Sequence, residues 1–282
     1  MSQRAVLITG GARGIGAATA AAFLEAGARV ALGDLDAPFA DRKAAELAKR
    51  YGDRVRGLPL DVTDRASFEG FFDVAASAFG NIDTLVNNAG IMPTGLLHEE
   101  ADTLTDQVLR VNLTGVINGC KIAASRFERG ASIVNIASAS ALFGAPAMAT
   151  YCASKAAVLM FTESLRLELA QRDIHVMAVL PGLVNTELSA GANYPKALRR
   201  FVAVEPHDVA EAVVTGVRRA RSTVSVPKSL RAMLFAADLL PQGARRRAEQ
   251  AAGVHTAFAH AHPEARAAYH ARISKHDRYG TV

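Results

Sequence analysis

Ala5-Val6-Leu7-Ile8-Thr9-Gly10-Gly11-Ala12-Arg13-Gly14-Ile15-Gly16 is the stretch on which the fold turns. Residues 4–9 read as a buried strand, residues 9–16 as a glycine-rich turn, and the Ala-rich run near 15–26 as a helix closed by Gly27. Glycines at such a turn let backbone amides come close to a pyrophosphate, and the helix N-terminus that follows adds partial positive charge. A merely tight turn, with a helix packed close on a strand, would use the same residues. The strand–turn–helix setting and an acid downstream favour the dinucleotide reading.

Outward from that turn, strands are expected at 28–34, 54–60, 83–87, 131–137, 174–180 and 222–226. Helices are expected near 41–50, 64–79, 103–127, 150–171 and 207–220. Continuous apolar strands alternating with helices predict an α/β, Rossmann-type doubly wound parallel sheet. The sequence places residues 1–227 in one catalytic domain. Residues 228–282 form a helical extension, with one helix over 229–240, a break at Pro241 and another helix opening at Arg245-Arg246-Arg247.

Half of the 282 residues are hydrophobic and 21% are charged, which excludes a disordered chain. No apolar run reaches the roughly 18 residues that span a bilayer. Met1-Ser2-Gln3-Arg4 leads straight into the first strand, so a cytoplasmic location is expected. Cys120 and Cys152 are both expected as free thiols. Of the net charge of +5, the tail holds the excess: from Arg218 onward, 12 Lys and Arg face 4 Asp and Glu. Such a tail can meet anionic partners, but no recognition-helix, aromatic-interleaved or zinc pattern supports nucleic-acid binding, and a solvated surface is the simpler reading.

Asp34 ends the second strand at the spacing from the turn where an acid hydrogen-bonds the adenine ribose and repels a 2′-phosphate. Leu35 and Asp36 follow instead of an arginine, so NAD(H) is expected over NADP(H). Arg13 in the turn argues the other way, as a possible phosphate contact. Asp61-Val62 follows the third strand, where Asp61 can accept from the adenine amino group and Val62 can pack on the ring. A helix N-cap is the alternative for Asp61, a task Thr63 or Asp64 could also perform.

Tyr151-Cys-Ala-Ser-Lys155 puts a phenol and an ammonium on one helix face. A free tyrosine has a pKa of about 10, and a nearby ammonium is expected to lower it. Ser138, at the end of the fifth strand, can hold a substrate oxygen beside Tyr151. The pair alone is weak evidence, but together with the glycine turn and the upstream serine, chance explains it poorly.

With these motifs together, the chain resembles the short-chain dehydrogenase/reductase family. The resemblance rests on Thr9–Gly16, Asn87-Asn88-Ala89-Gly90, Asn112, Ser138, Tyr151 with Lys155, and Pro181-Gly182. It implies a catalytic set of Asn112, Ser138, Tyr151 and Lys155, with Asn112 distorting its helix to order a water linked to Lys155. It implies cofactor contacts from Gly10, Arg13, Gly14, Ile15, Gly16, Asp34, Leu35, Asp61, Val62, Asn88, Ala89, Gly90, Tyr151, Lys155, Pro181, Gly182, Val184 and Thr186. Within the stretch 181–186, the Val184 backbone and Thr186 hydroxyl would hold the nicotinamide carboxamide. The implied activity is NAD(H)-dependent interconversion of a secondary alcohol and a ketone, with Tyr151 as general acid and base. The alternatives are an NADP(H)-preferring carbonyl reductase and a dinucleotide-sensing regulatory protein. The resemblance also implies a homodimer or homotetramer. A tetramer contact through a final Gly-rich strand is in doubt, because this chain has Thr223-Val-Ser-Val-Pro227 where many relatives carry an aliphatic-Asp-Gly-Gly run.

Apolar residues Leu188, Tyr194, Leu198, Phe201 and Val202 in the loop 183–206, with those of 141–148, suggest a hydrophobic substrate such as a steroid, terpenoid or lipid-like alcohol. Arg199 and Arg200 suggest an acidic group instead. The helix from 229 is read as packing over the substrate cleft or a partner subunit in preference to lying on a membrane surface. His255, His260 and His262 lack the Cys or Glu partners of a recognisable metal site, and no metal is expected.

Overall fold

Ala5–Thr9 (β1) is fully buried and lies inside a seven-stranded sheet, with two strands on one side and four on the other. The computed structural model describes residues 4–191, 199, 202–251, 253, 269, 271 and 273. The other strands of the sheet are Arg29–Asp34 (β2), Val55–Pro59 (β3), Thr84–Asn87 (β4), Ser132–Ile136 (β5), His175–Pro181 (β6) and Thr223–Val226 (β9). They run in the order β3-β2-β1-β4-β5-β6-β9, every pair parallel. The order reverses between β1 and β4. Such a switch point opens a crevice at the carboxyl ends of the strands, where ligands bind in this architecture.

The helices between strands are Gly14–Glu25 (α1), Ala37–Tyr51 (α2), Arg65–Phe79 (α3), Asp102–Leu109 (α4), Gly115–Arg126 (α5) and Ala149–Leu169 (α6). They cover both sheet faces, because the strands are apolar on both sides. One buried cluster joins Leu7, Leu85 and Ile133 to α3, α5 and α6. The other joins Val6, Ile8 and Val134 to α1 and to the helix Pro206–Arg218.

Three elements differ from the sequence reading. Helix α2 starts four residues early, because the Asp36 carboxylate accepts from the Phe39 amide at 3.2 Å and Pro38 suits the first turn. The helix expected over 103–127 is not continuous but carries a π-helical turn, Arg110–Thr114, at Asn112, where the family resemblance implies a distortion. The loop after β6 contains a second, two-stranded parallel sheet of Leu183–Val184 (β7) and Ala203–Val204 (β8). Beyond β9 come the helices Lys228–Asp238 and Gln242–Ala251.

Candidate active site

The turn after β1 is built by backbone geometry. Gly10 and Gly14 take left-handed φ angles of 60° and 49°, which side-chain-bearing residues rarely adopt. A Cβ on Gly16 would lie 2.2 Å from the Gly10 carbonyl oxygen, so only glycine lets α1 pack on the turn. Across the switch point, the Thr9 hydroxyl accepts from the Asn88 and Ala89 amides at 3.0 and 2.9 Å. Asn88 Nδ2 donates in return to the Thr9 and Gly10 carbonyls at 2.9 and 3.0 Å. These four bonds staple the end of β1 to the end of β4 and fix both walls of the crevice.

Asp34 Oδ2 accepts from the Ala12 amide at 3.3 Å and Oδ1 from the Asp36 amide at 3.1 Å. Burial pushes its carboxyl above the ordinary carboxylate value, and these two bonds pull against that. Arg13 is engaged on the same side. Its Nη2 lies 2.7 Å from Asp36 Oδ2, and its guanidinium lies 3.6 Å above the Phe39 ring. Asp61 Oδ1 accepts from the Thr63 amide and hydroxyl at 2.9 and 2.7 Å. The cap of α3 is Asp64, whose carboxylate accepts from the Ala66 amide at 2.9 Å. Val62 is buried against Gly115.

Ser138 and Tyr151 both line the cleft, with the serine side chain close enough to the phenol to favour its ionised form. Lys155 Nζ lies 5.9 Å from the centre of the Tyr151 ring and donates to the Ile136 carbonyl at 2.9 Å. Here the electrostatics depart from the sequence expectation. Burial pushes the Tyr151 phenol up to about 12, with the nearby Ser138 side chain opposing it. The same cause pushes Lys155 down to about 8. Desolvation of both groups outweighs the attraction expected between an ammonium and a phenolate.

Asn112 is fully buried in its π turn. Its Oδ1 accepts from the Ile91 amide at 2.8 Å, while Nδ2 donates to the Ile91 carbonyl at 2.9 Å and to Ser154 Oγ at 3.1 Å. The extra residue of a π turn swings this amide out of the helix toward the chain after β4. A Cβ on Gly90 would lie 3.3 Å from Asn112 Oδ1 and 3.4 Å from Lys155 Nζ, so the two side chains flank that glycine.

A single cleft of about 780 Å³ collects these groups. It is walled by Gly10, Arg13, Gly14, Ile15, Asp34, Leu35, Asp61, Val62, Asn88, Ala89, Gly90, Ser138, Tyr151, Lys155, Pro181, Gly182, Val184 and Thr186. Of the residues singled out in the sequence, Gly16 and Asn112 stand behind the wall. Gly16 acts through packing and Asn112 through Ile91. Thr186 lies over the glycine turn, its Cγ2 3.2 Å from where a Gly14 Cβ would be.

The end of the cleft beside Tyr151 is apolar, with Met92, Val111, Leu142, Phe143, Met148, Leu188 and Val202 in its walls. Leu230, Met233 and Leu234 from the helix Lys228–Asp238 line it too, in keeping with the expectation that this helix packs over the cleft. Gln107, Tyr269 and Ile273 also line the cleft. Sequence reading missed these three, because no local motif links residues so far apart in the chain. Arg199 is exposed and donates to Asn185 Oδ1 at 3.3 Å. Tyr194, Leu198, Arg200, Phe201, His255, His260 and His262 lie outside the described residues. Among the described residues, no group of three His, Cys, Asp or Glu side chains is arranged to hold a metal ion, and no helix is long and apolar enough to cross a membrane.

The short chain dehydrogenase family model matches residues 4–196, and the chain belongs to that family. It is an oxidoreductase of alcohols and carbonyl compounds that works with a nicotinamide cofactor. Over 192 residues it is 38% identical to the 2,5-dichloro-2,5-cyclohexadiene-1,4-diol dehydrogenase LinX of Sphingobium indicum, covering 67% of this chain and 76% of that one. Over 216 residues it is 38% identical to the 3-alpha-(or 20-beta)-hydroxysteroid dehydrogenase of Mycobacterium tuberculosis, covering 75% of this chain and 81% of that one. A short-chain dehydrogenase/reductase from Burkholderia phymatum, solved in complex with NAD, superposes with a TM-score of 0.75 at 27% identity, over 83% of this chain and 92% of that one.

Proposed function

We propose that this chain interconverts a hydrophobic secondary alcohol and its ketone with NAD(H), and that Tyr151 moves the proton. The observation that carries the proposal is one cleft lined by the Ser138 and Tyr151 hydroxyls together, with the buried Lys155 ammonium near the phenol and an acid, Asp34, in the same wall.

The residues present fit the cofactor. Asp34 is suited to accept from ribose hydroxyls, and the glycine turn with the amides that begin α1 is suited to the pyrophosphate. Lys155 is suited to the nicotinamide ribose, and Val184 with Thr186 to the carboxamide. NAD, when bound, supplies the hydride acceptor, and NADH the donor. NAD over NADP is favoured because Asp34 and Asp36 both face a 2′-phosphate unfavourably, and Arg13 is already occupied by Asp36 and Phe39.

In reduction, Ser138 holds the carbonyl oxygen and Tyr151 donates its proton to that oxygen. A phenol kept protonated by burial is ready for this step at neutral pH. In oxidation, Tyr151 takes the hydroxyl proton from the substrate, and the Lys155 ammonium stabilises the phenolate that precedes it. Proton transfer of this kind contributes about 10²–10⁴-fold in rate. Asn112 positions Ile91 and, through it, the wall beside Lys155.

The apolar walls support a steroid-, terpenoid- or lipid-like substrate. The relatives named for a hydroxysteroid and a cyclohexadiene diol are consistent with such a ring-bearing alcohol. Residues 1–227 are proposed as the catalytic domain and 228–282 as its extension, in a homo-oligomer of the cytoplasm. Met160 and Leu167 on α6, seven residues apart and each about two-thirds exposed, support a helix-to-helix contact between copies.

The deciding experiment is Tyr151→Phe, assayed with a panel of secondary alcohols and ketones by NADH and NADPH absorbance. The variant is expected to lose nearly all turnover and still bind NADH. Turnover at the wild-type level would remove Tyr151 from the mechanism.

A further inference from the structure

The cleft is lined by two residues, Tyr269 and Ile273, far along the chain from every motif that defines the site. The Met92 amide donates to the Tyr269 hydroxyl at 2.7 Å, and Gln107 Nε2 donates to the Ile273 carbonyl at 3.2 Å. Tyr269 and Ile273 are one helical turn apart, both helical and both buried, and both line the cleft. Two buried hydrogen bonds hold Tyr269 and Ile273 in place, where a loosely apposed segment would need only apolar contact. The first bond ends on a sensitive place. Met92 follows Ile91, the residue clamped by Asn112, and packs in the same apolar cluster as Tyr151.

We propose that Tyr269, with Ile273 beside it, is a specificity-determining wall of the substrate pocket, built by the chain's own tail. The wall sets the size of the group carried on the ketone carbon. It is expected to leave cofactor binding alone, because the hydrogen bonds of Tyr269 and Ile273 run to Met92 and Gln107, neither of which belongs to the glycine turn. The inference rests on the reading of this cleft as the site of ketone reduction.

The test compares wild type with Tyr269→Ala, Tyr269→Phe and Ile273→Ala, all as full chains. Methyl ketones from 2-butanone to 2-dodecanone and a bicyclic ketone serve as substrates. Tyr269→Ala is expected to shift the kcat/KM ratio of large to small ketones by about tenfold or more, the scale on which apolar pockets sort substrates by size. The shift falls on KM, with the NADH Kd unchanged. Ile273→Ala shifts the ratio in the same direction. Tyr269→Phe, which keeps the ring and drops the hydroxyl, shifts it less.

Binding of the neutral apolar dye Nile red, measured in the presence of NADH, reads the same wall without turnover and is expected to weaken several-fold in Tyr269→Ala. Folding of each variant is followed by thermal melting, and Tyr269→Phe serves if the alanine variant does not fold. Size selectivity and dye affinity that match wild type in folded variants would overturn the proposal. A wild-type protein that turns over no alcohol or ketone would sink the reading of the activity instead, while the dye measurement still decides the wall.

Discussion

Asn112→Ala perturbs the site from behind. The side chain is fully buried and makes three hydrogen bonds, two to the Ile91 backbone and one to Ser154. Ser154 keeps its bond to the Tyr151 carbonyl, at 2.7 Å, so the loss falls chiefly on Ile91. At about 1 kcal/mol for each bond, with the Ile91 pair only half-buried, the variant is destabilised by about 3 kcal/mol. For a chain of this size that corresponds to a fall in Tm of about 6–12 °C. Activity should suffer more than stability, because Ile91 holds Gly90 against Lys155. A displacement of the order of 1 Å at such a group costs about 10²-fold in rate. The assay is differential scanning fluorimetry paired with steady-state kinetics below the melting range, with NADH affinity measured separately. The expected pattern is a lower kcat with near-normal NADH binding. A variant that melts with wild type and keeps its kcat would show that the clamp on Ile91 carries neither stability nor geometry.

Asp34→Asn removes a charge and keeps the shape. The NADPH-to-NADH preference should rise about 10–100-fold, the scale of one repulsion of about 1–3 kcal/mol between partly exposed charges. An unchanged cofactor ratio in kinetics would refute the role given to Asp34. Lys155→Met bears on the buried ammonium. The lysine's folded pKa of about 8 lies below its ordinary 10.5, so the unfolded chain binds more protons between those values. Wild type should therefore gain stability relative to Lys155→Met as pH rises from about 8 to 10.5, read from paired denaturant midpoints. A gap that is flat across that window would contradict the burial argument.

The sequence was most informative where spacing alone constrains geometry. The glycine turn, the acid ending β2, and the tyrosine and lysine one turn apart could all be read from short local patterns, and the structure brings them to one cleft. The parallel order of strands was legible for the same reason, since apolar runs alternate with amphipathic ones. The break in the helix at Asn112 left no mark in the hydrophobic period, and came only from the family resemblance. The short β7–β8 pair was invisible because two-residue strands have no period to detect. The expected acidification of Tyr151 failed because burial, a property of the assembled core, is not written in a four-residue spacing. Tyr269 and Ile273 were missed because their importance lies in partners 177 and 166 residues away.

That long reach has a bearing on how the molecule comes together. Chains emerge from the ribosome with their first residues leading, and elements close in sequence settle before distant ones. The residues proposed to hold a dinucleotide all lie at or before Thr186, whereas the bond from Met92 waits for Tyr269, far later in the chain. On the proposed reading, a nascent polypeptide of this protein thus acquires the means to hold its coenzyme well before it acquires a finished compartment for the alcohol or ketone.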